Sequence, residues 1–395
     1  MGEMVDSAEA ARRLGIKLAT LYSYVSRGIL QSHPAPEARR RLFDLDEVER
    51  IARRGKSGRQ ADDHSIRITT AITQLLPTGP RYRGIPAVEL ATTASFEEVA
   101  ALLWESDAPA GWVPLELPPA PEMTMRNRLK WSIMMSGARA SLASDLRRPS
   151  IVEMATALLA TIVDCLPPAA PPGRASELRL DGGRTVRGSL AERLADRLAE
   201  GGARPEVVRA VNAALVVLAD HELTPPALAV RIAASARATY FDAMLVGVSA
   251  SSARAQGSAS ELAHALLQDA ESQGAEQAMD DALRHQGVLP GFGRREYPDG
   301  DPRFSALQQE VERVGTPERF AVVRAVLELA DLHQLPRPSV DFGLAAIMFA
   351  ADMPRAAGLV ITTIARLAGW TAHFLEELDE EPLRFRPQPV YVGAT

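Results

Sequence analysis

The sequence predicts an all-α body behind a small basic N-terminal module, and three observations carry that reading. Apolar residues recur at helical spacing in segment after segment. Runs of β-branched residues alternating with period two are nearly absent. Arginine and lysine crowd about the first sixty residues of a chain whose net charge is −6.

The N-terminal stretch VDSAEAARRLGIKLATLYSYVSRGIL divides into two short helices. Ser7 is placed to cap the first, Ala8–Leu14; Gly15 breaks it, and Lys17–Arg27 forms the second. QSHPAPEARRRLFDLDEVERIARR follows, and then the polar, glycine-containing GKSGRQADDH reads as a linker. The expected boundaries are a module at 1–55, a linker at 56–65 and a helical body from 66 onward.

Within the body, SFEEVAALLWES pairs a cap at Ser95 with Glu98 three positions on, ahead of apolar Phe96, Val99, Leu102 and Leu103. SLAERLADRLAEGG repeats the pattern and ends in glycines. EVVRAVNAALVVLADHE, PPALAVRIAASA, SASELAHALLQDAESQG, RFSALQQEVERV and PERFAVVRAVLELADLHQ read the same way. Residues 166–188, rich in Pro and Gly, read as a long surface connection.

Bulk properties exclude several classes. With 46% hydrophobic and 24% charged residues, 395 residues suffice for two or three globular domains. A single cysteine, Cys165, excludes a disulfide framework; its apolar neighbours Ile162, Val163 and Leu166 mark it as a small core residue. The charged opening MGEMVDSAEAARRL has no apolar core of a secretory signal, and no apolar run is long enough to span a bilayer. These readings place the chain in the cytoplasm, off the membrane. With net negative charge, any nucleic-acid contact must come from a local basic patch.

The pattern AEAARRLGI followed by TLYSYVSRG resembles the MerR/excisionase-type helix-turn-helix, and QSHPAPEARRRLFDLDEVERIARR resembles the wing and next helix of that family. The resemblance implies a second helix that enters the DNA major groove. Thr20, Ser23, Tyr24 and Arg27 fall on one face of it, and Arg39, Arg40 and Arg41 sit where a wing meets phosphates. The alternative is a small helical protein-interaction module that keeps only the fold.

Several body segments, in order, resemble the citrate synthase family, whose enzymes condense acetyl-CoA with oxaloacetate. They are RYRGIPAVELATTASFEEVAALLW (81–104), LADHELTPPALAVRIAAS (218–235), GFGRREYPDGDPR (291–303), PSVDFGLAA (338–346), ARLAGWTAHFLEE (365–377) and RPQPVYVG (386–393). The resemblance implies a citrate-synthase fold, with a large helical domain at 66–239 and 346–395 and a small one at 240–345. It implies a dimer, homomeric or with a paralogue, and acyl-CoA as substrate, with no permanently bound cofactor and no metal.

By that resemblance Asp341 is the base that takes a proton from the thioester methyl group, although an Asp at a helix start reads from local sequence alone as an N-cap. His221, Arg303, Arg366 and Arg386 match the positions that hold oxaloacetate or citrate, Arg386 reaching the partner's site. Arginine suits that task because its planar fork binds carboxylates bidentately. The departures fall on the family's two catalytic histidines. Its Gly-Pro-Leu-His-Gly-Gly-Ala segment is here ARAQGSA (253–259), with Gln256 at the histidine, and Arg294 replaces the second. After His221 the family's Asn-Ala-Ser-Thr is here TPPA (224–227).

An amide can still donate to an enolate oxygen but cannot exchange a proton as imidazole does. Loss of general acid–base action costs roughly 10²–10⁴ in rate, and loss of an oxyanion donor about 10²–10³. The sequence thus supports three readings: a slow condensing enzyme, a non-catalytic subunit that completes a partner's site, and a DNA-binding sensor of citrate or acyl-CoA.

Overall fold

A computed structural model describes residues 4–14, 21, 25, 30–34, 41–45, 47–49, 68–107, 109, 111–141, 143–169, 188–251 and 259–386. It divides the chain into two compact units, 1–69 and 70–395.

In the first unit, β1 (Met4–Asp6) leads into α1 (Ser7–Leu14), and β2 (His33–Pro34) pairs antiparallel with β3 (Arg41–Asp44), which pairs in turn with β1. Val5, Ala10, Ala11, Leu21, Leu30, Phe43 and Val48 form its small core. The cap of α1 is one residue earlier than the sequence suggests: Asp6 Oδ1 accepts from Glu9 N–H, so Ser7 is already helical. A carboxylate in that position also faces the positive helix end. Thr20, Ser23, Tyr24, Arg27, Arg39 and Arg40 lie outside the described residues, and Arg41 is described only as backbone in β3.

The second unit opens with an antiparallel meander of β4 (Thr73–Leu76), β5 (Gly79–Tyr82) and β6 (Ile85–Pro86). Among the described residues its remaining named elements are helices: α2 (Ala87–Thr93), α3 (Phe96–Trp104), α4 (Met125–Arg139), α5 (Arg148–Asp164), α6 (Leu190–Leu198) and α7 (Pro205–Leu218) come first. Then follow α8 (Pro225–Ser235), α9 (Tyr240–Ser251), α10 (Ala259–Gln273), α11 (Ala275–Gln286), α12 (Pro302–Val314), α13 (Pro317–Leu332), α14 (Val340–Ala350) and α15 (Ala357–Leu378). Among the described residues no helix is long and apolar enough to cross a membrane.

Local sequence accounts for the helix starts. Ser95 and Glu98 form the reciprocal capping box at α3, and Ser189 accepts from Glu192 N–H at α6. Proline stands in the first turn of α5, α7, α8, α12 and α13, where its missing N–H costs nothing. One continuous core joins these helices, with α14 and α15 buried along most of their length. That burial explains their nearly unbroken apolar sequences. Cys165 departs from the core expectation: it caps the C-terminus of α5, half-buried, and burial raises its thiol above the ordinary value.

Candidate active site

Three helix termini and one helix interior bring the predicted ligands together. His221 lies in the turn after α7, Arg303 at the start of α12, Asp341 in the first turn of α14, and Arg366 inside α15.

Arg303 is fully buried, and the residue that makes this tolerable is Asp301, which the sequence reading passed over. Asp301 caps α12 by accepting from Arg303 N–H, and its two oxygens also take Nε at 2.9 Å and Nη2 at 2.8 Å. The same carboxylate accepts from Val340 N–H at 3.0 Å, tying α12 to the start of α14. Burial works to raise the Asp301 carboxyl, but the charge and hydrogen bonds of Arg303, with Val340 N–H, hold it below the usual range. The Asp-Pro pair that opens a helix was the signal available in the sequence.

With two of its nitrogens on Asp301, Arg303 turns Nη1 toward His221 Nδ1 at 3.5 Å. A guanidinium only donates, so Nδ1 is the acceptor and the His221 proton sits on Nε2. That Nε2 is buried without a hydrogen-bond partner among the described residues. Burial first, then the charges of Arg303, Arg366 and Arg294, hold His221 well below its ordinary value and therefore neutral. Arg366 adds a second orphan, its buried Nη1. Burial draws the Arg366 guanidinium down to about 10, with Arg303 and Arg294 adding to the fall and Asp220 and Tyr82 opposing it. Buried donors without partners are costly, and here they converge from two elements, as a site built for an anion requires. Tyr297, also absent from the sequence reading, closes one side, its buried ring 5.3 Å from the Arg303 guanidinium carbon.

Asp341 is not the cap of its helix. Ser339 is, its Oγ accepting from Asp341 N–H and donating to Gly291 O. The Asp341 side chain is thereby left for another role. Its Oδ2 accepts from Arg294 Nη2 at 2.7 Å, with side chains 30% and 22% exposed. The pairing is built into the fold. Ser339 N–H bonds to Gly291 O and Gly293 N–H to Arg337 O, so the 291–294 loop is stitched to the approach to α14. Gly291 (φ +81°) is needed here, since a Cβ would fall 2.9 Å from Phe342 Cβ and 3.0 Å from Ala263 Cβ. Asp341 and Arg366 line one small cavity of about 40 Å³ with Ser251, Thr363 and Trp370.

Of the remaining predicted residues, Arg386 is exposed beyond the end of α15, and Gln256 lies outside the described residues. Among the described residues no cluster of His, Cys, Asp and Glu could hold a metal ion.

The profile of a family described as "Citrate synthase, C-terminal domain" matches residues 133–388, which include every element of this site. The chain belongs to the citrate synthase family. A citrate synthase of Mycolicibacterium smegmatis is 25% identical over 354 residues, covering 82% of this chain and 92% of that protein. A 2-methylcitrate synthase of Mycobacterium tuberculosis is 27% identical over 352 residues, covering 82% and 88%. The fold agrees with solved citrate synthases. That of Thermotoga maritima covers 84% of this chain and 94% of its own, with a TM-score of 0.63 at 21% identity. That of Thermoplasma acidophilum, in a ternary complex with carboxymethyl coenzyme A and oxaloacetate, covers 85% and 96%, with a TM-score of 0.62 at 20% identity.

Proposed function

We propose that this citrate synthase family member binds a 2-oxo dicarboxylate of the oxaloacetate type and condenses it with an acyl-CoA slowly. The observation that carries the reading is the Arg294–Asp341 contact at 2.7 Å. An oxygen of Asp341, the base that must accept the α-proton in this reading, already accepts from a permanent cation. Arg303 Nη1, Arg366 Nη1 and the His221 Nε2–H supply donors for the two carboxylates. Gln256 in place of a histidine leaves an amide donor for the enolate oxygen. The ion pair is partly exposed and opens at a cost of about 1 kcal/mol or less, so the base is hindered rather than abolished. Residues 240–345, which carry Arg294, Arg303 and Asp341, serve as the domain that closes over the ligands, against 66–239 with 346–395, which carry His221 and Arg366.

The test is thiol release from acetyl-CoA in the presence of oxaloacetate, comparing the native chain with the Gln256→His, Arg294→His double variant. The double variant should gain roughly 10² or more in rate. No gain would refute the view that only the catalytic groups were altered.

One observation favours a second reading, in which the chain completes a partner's site in a dimer. Exposed Arg386 follows a firmly held strap: Leu383 N–H bonds to Ser235 O, and Arg384 forks onto Glu377 at 2.7 and 2.6 Å. Thiol release that requires a paralogous subunit and vanishes with Arg386→Ala would select it. For the first unit, the β2–β3 pair beside α1 supports a winged helix-turn-helix. Loss of low-salt DNA retention on removal of residues 1–55 would support DNA binding, and unchanged retention would refute it.

A further inference from the structure

Arg303 and Arg294 each have an aspartate in direct contact, whereas no carboxylate among the described residues lies within ion-pair distance of Arg366. Its Nη1 is buried without a hydrogen-bond partner among the described residues, and a buried cationic nitrogen without a counter-charge carries a cost. The carboxylate placed to meet it is Asp220, 1% exposed, next to His221 in the chain. We propose that Asp220, held by His373, is the buried counter-charge of Arg366. The assignment rests on the proposed dicarboxylate site for its functional meaning.

The geometry around Asp220 is closed on every side. Gly369 N–H bonds to Ala219 O, and the Gly369 Cα is so near that a Cβ there would meet Asp220 Oδ1 at 2.3 Å. Arg366 is three residues earlier on the same helix, hence on the same face. His373, fully buried on α15, places Nε2 3.3 Å from Asp220 Oδ1, within charge-pair reach though off the line of a hydrogen bond. The other oxygen accepts from Glu222 N–H at 2.9 Å, which sustains the left-handed Glu222 (φ +57°) and so aims His221. Tyr82 Oη contacts Asp220 N and O at 3.3 and 3.2 Å, fixing the backbone as well. Burial works to raise the Asp220 carboxyl, but His373 and Arg366 hold it below the ordinary value, so it is charged. Neither Asp220 nor His373 has an exposed edge for a ligand, so both act through their neighbours.

A double-mutant cycle of Asp220→Asn with Arg366→Met, read by unfolding of the full chain, tests the assignment without any ligand. Asp220→Asn keeps the shape and an acceptor oxygen while removing the charge, and should lower the melting temperature. Arg366→Met should return about half of that loss or more, because the orphaned cation is gone. Folding of the double variant when Asp220→Asn alone fails to fold supports the assignment equally. Strictly additive losses, no loss in Asp220→Asn, or failure of both variants to fold would overturn it. Calorimetry with oxaloacetate gives the second arm: with the opposing charge removed, Asp220→Asn should bind oxaloacetate about tenfold more tightly than the native chain. Weaker binding by the variant would overturn the counter-charge role. Failure of the native chain to bind oxaloacetate would instead defeat the dicarboxylate reading and leave the cycle intact.

Discussion

Arg303 and Arg294 are both arginines set against an aspartate, yet the two pairs are built on different terms. The Arg303–Asp301 pair is wholly buried, forked through two nitrogens, and tied by Val340 N–H into the start of α14. The Arg294–Asp341 pair makes one contact, and both side chains keep a fifth or more of their surface in water. A buried pair cannot lose one member without stranding the other's charge, so it is part of the scaffold. A half-exposed pair opens cheaply. The end of the site proposed to grip carboxylates is therefore fixed, and the end proposed to do proton chemistry is adjustable.

The contrast breaks most directly at the buried pair. Asp301→Ala strands Arg303 and removes the cap of α12, and should cost about 3–5 kcal/mol in denaturant unfolding. Arg294→Ala should cost no more than about 1 kcal/mol in the same measurement. Equal costs for the two would erase the distinction.

The next effect in size probes how closely α15 must approach the His221 turn. An alanine at Gly369 would put its Cβ 2.5 Å from Ala219 O and 2.3 Å from Asp220 Oδ1, and a backbone oxygen cannot swing aside as a side-chain end can. Gly369→Ala should destabilise by roughly 1–3 kcal/mol and weaken dicarboxylate binding, since Arg366 rides on the displaced helix. A variant with native stability and affinity would show that the approach is not needed.

How much of this was legible in the sequence follows from the range of the interactions. The helices were, because periodicity and capping are local: Ser95 with Glu98, or the Pro-led starts of α7 and α12, act within one turn. The short strands of the 73–86 meander were not, since so few residues carry no alternation to read. His221, Arg303, Asp341 and Arg366 were legible as motif positions, and the fold gathers them around one corner and one cavity. Their partners were not legible. Nothing local says that Asp301 serves Val340 across the fold, that His373 meets Asp220, or that Arg294 bonds to Asp341. The sequence marked Arg294 as a loss, whereas the structure gives it a definite bond.

The smallest effect distinguishes the two ends by pH. Buried among cations, His221 resists protonation in the folded chain, while the unfolded chain takes up the proton near pH 6.5. Below that value the unfolded state binds more protons, so stability falls with pH, by about 1 kcal/mol between pH 6.5 and 5.5 from this residue alone. His221→Gln should flatten the unfolding-versus-pH curve by that amount. Buried His264 is lowered in the same direction, so its contribution must remain in the His221→Gln curve and disappear in His264→Gln. A slope unchanged by His221→Gln would mean that the corner does protonate. The Arg303 cation would then face an imidazolium at 3.5 Å, whose Nδ1 can no longer accept from Arg303 Nη1.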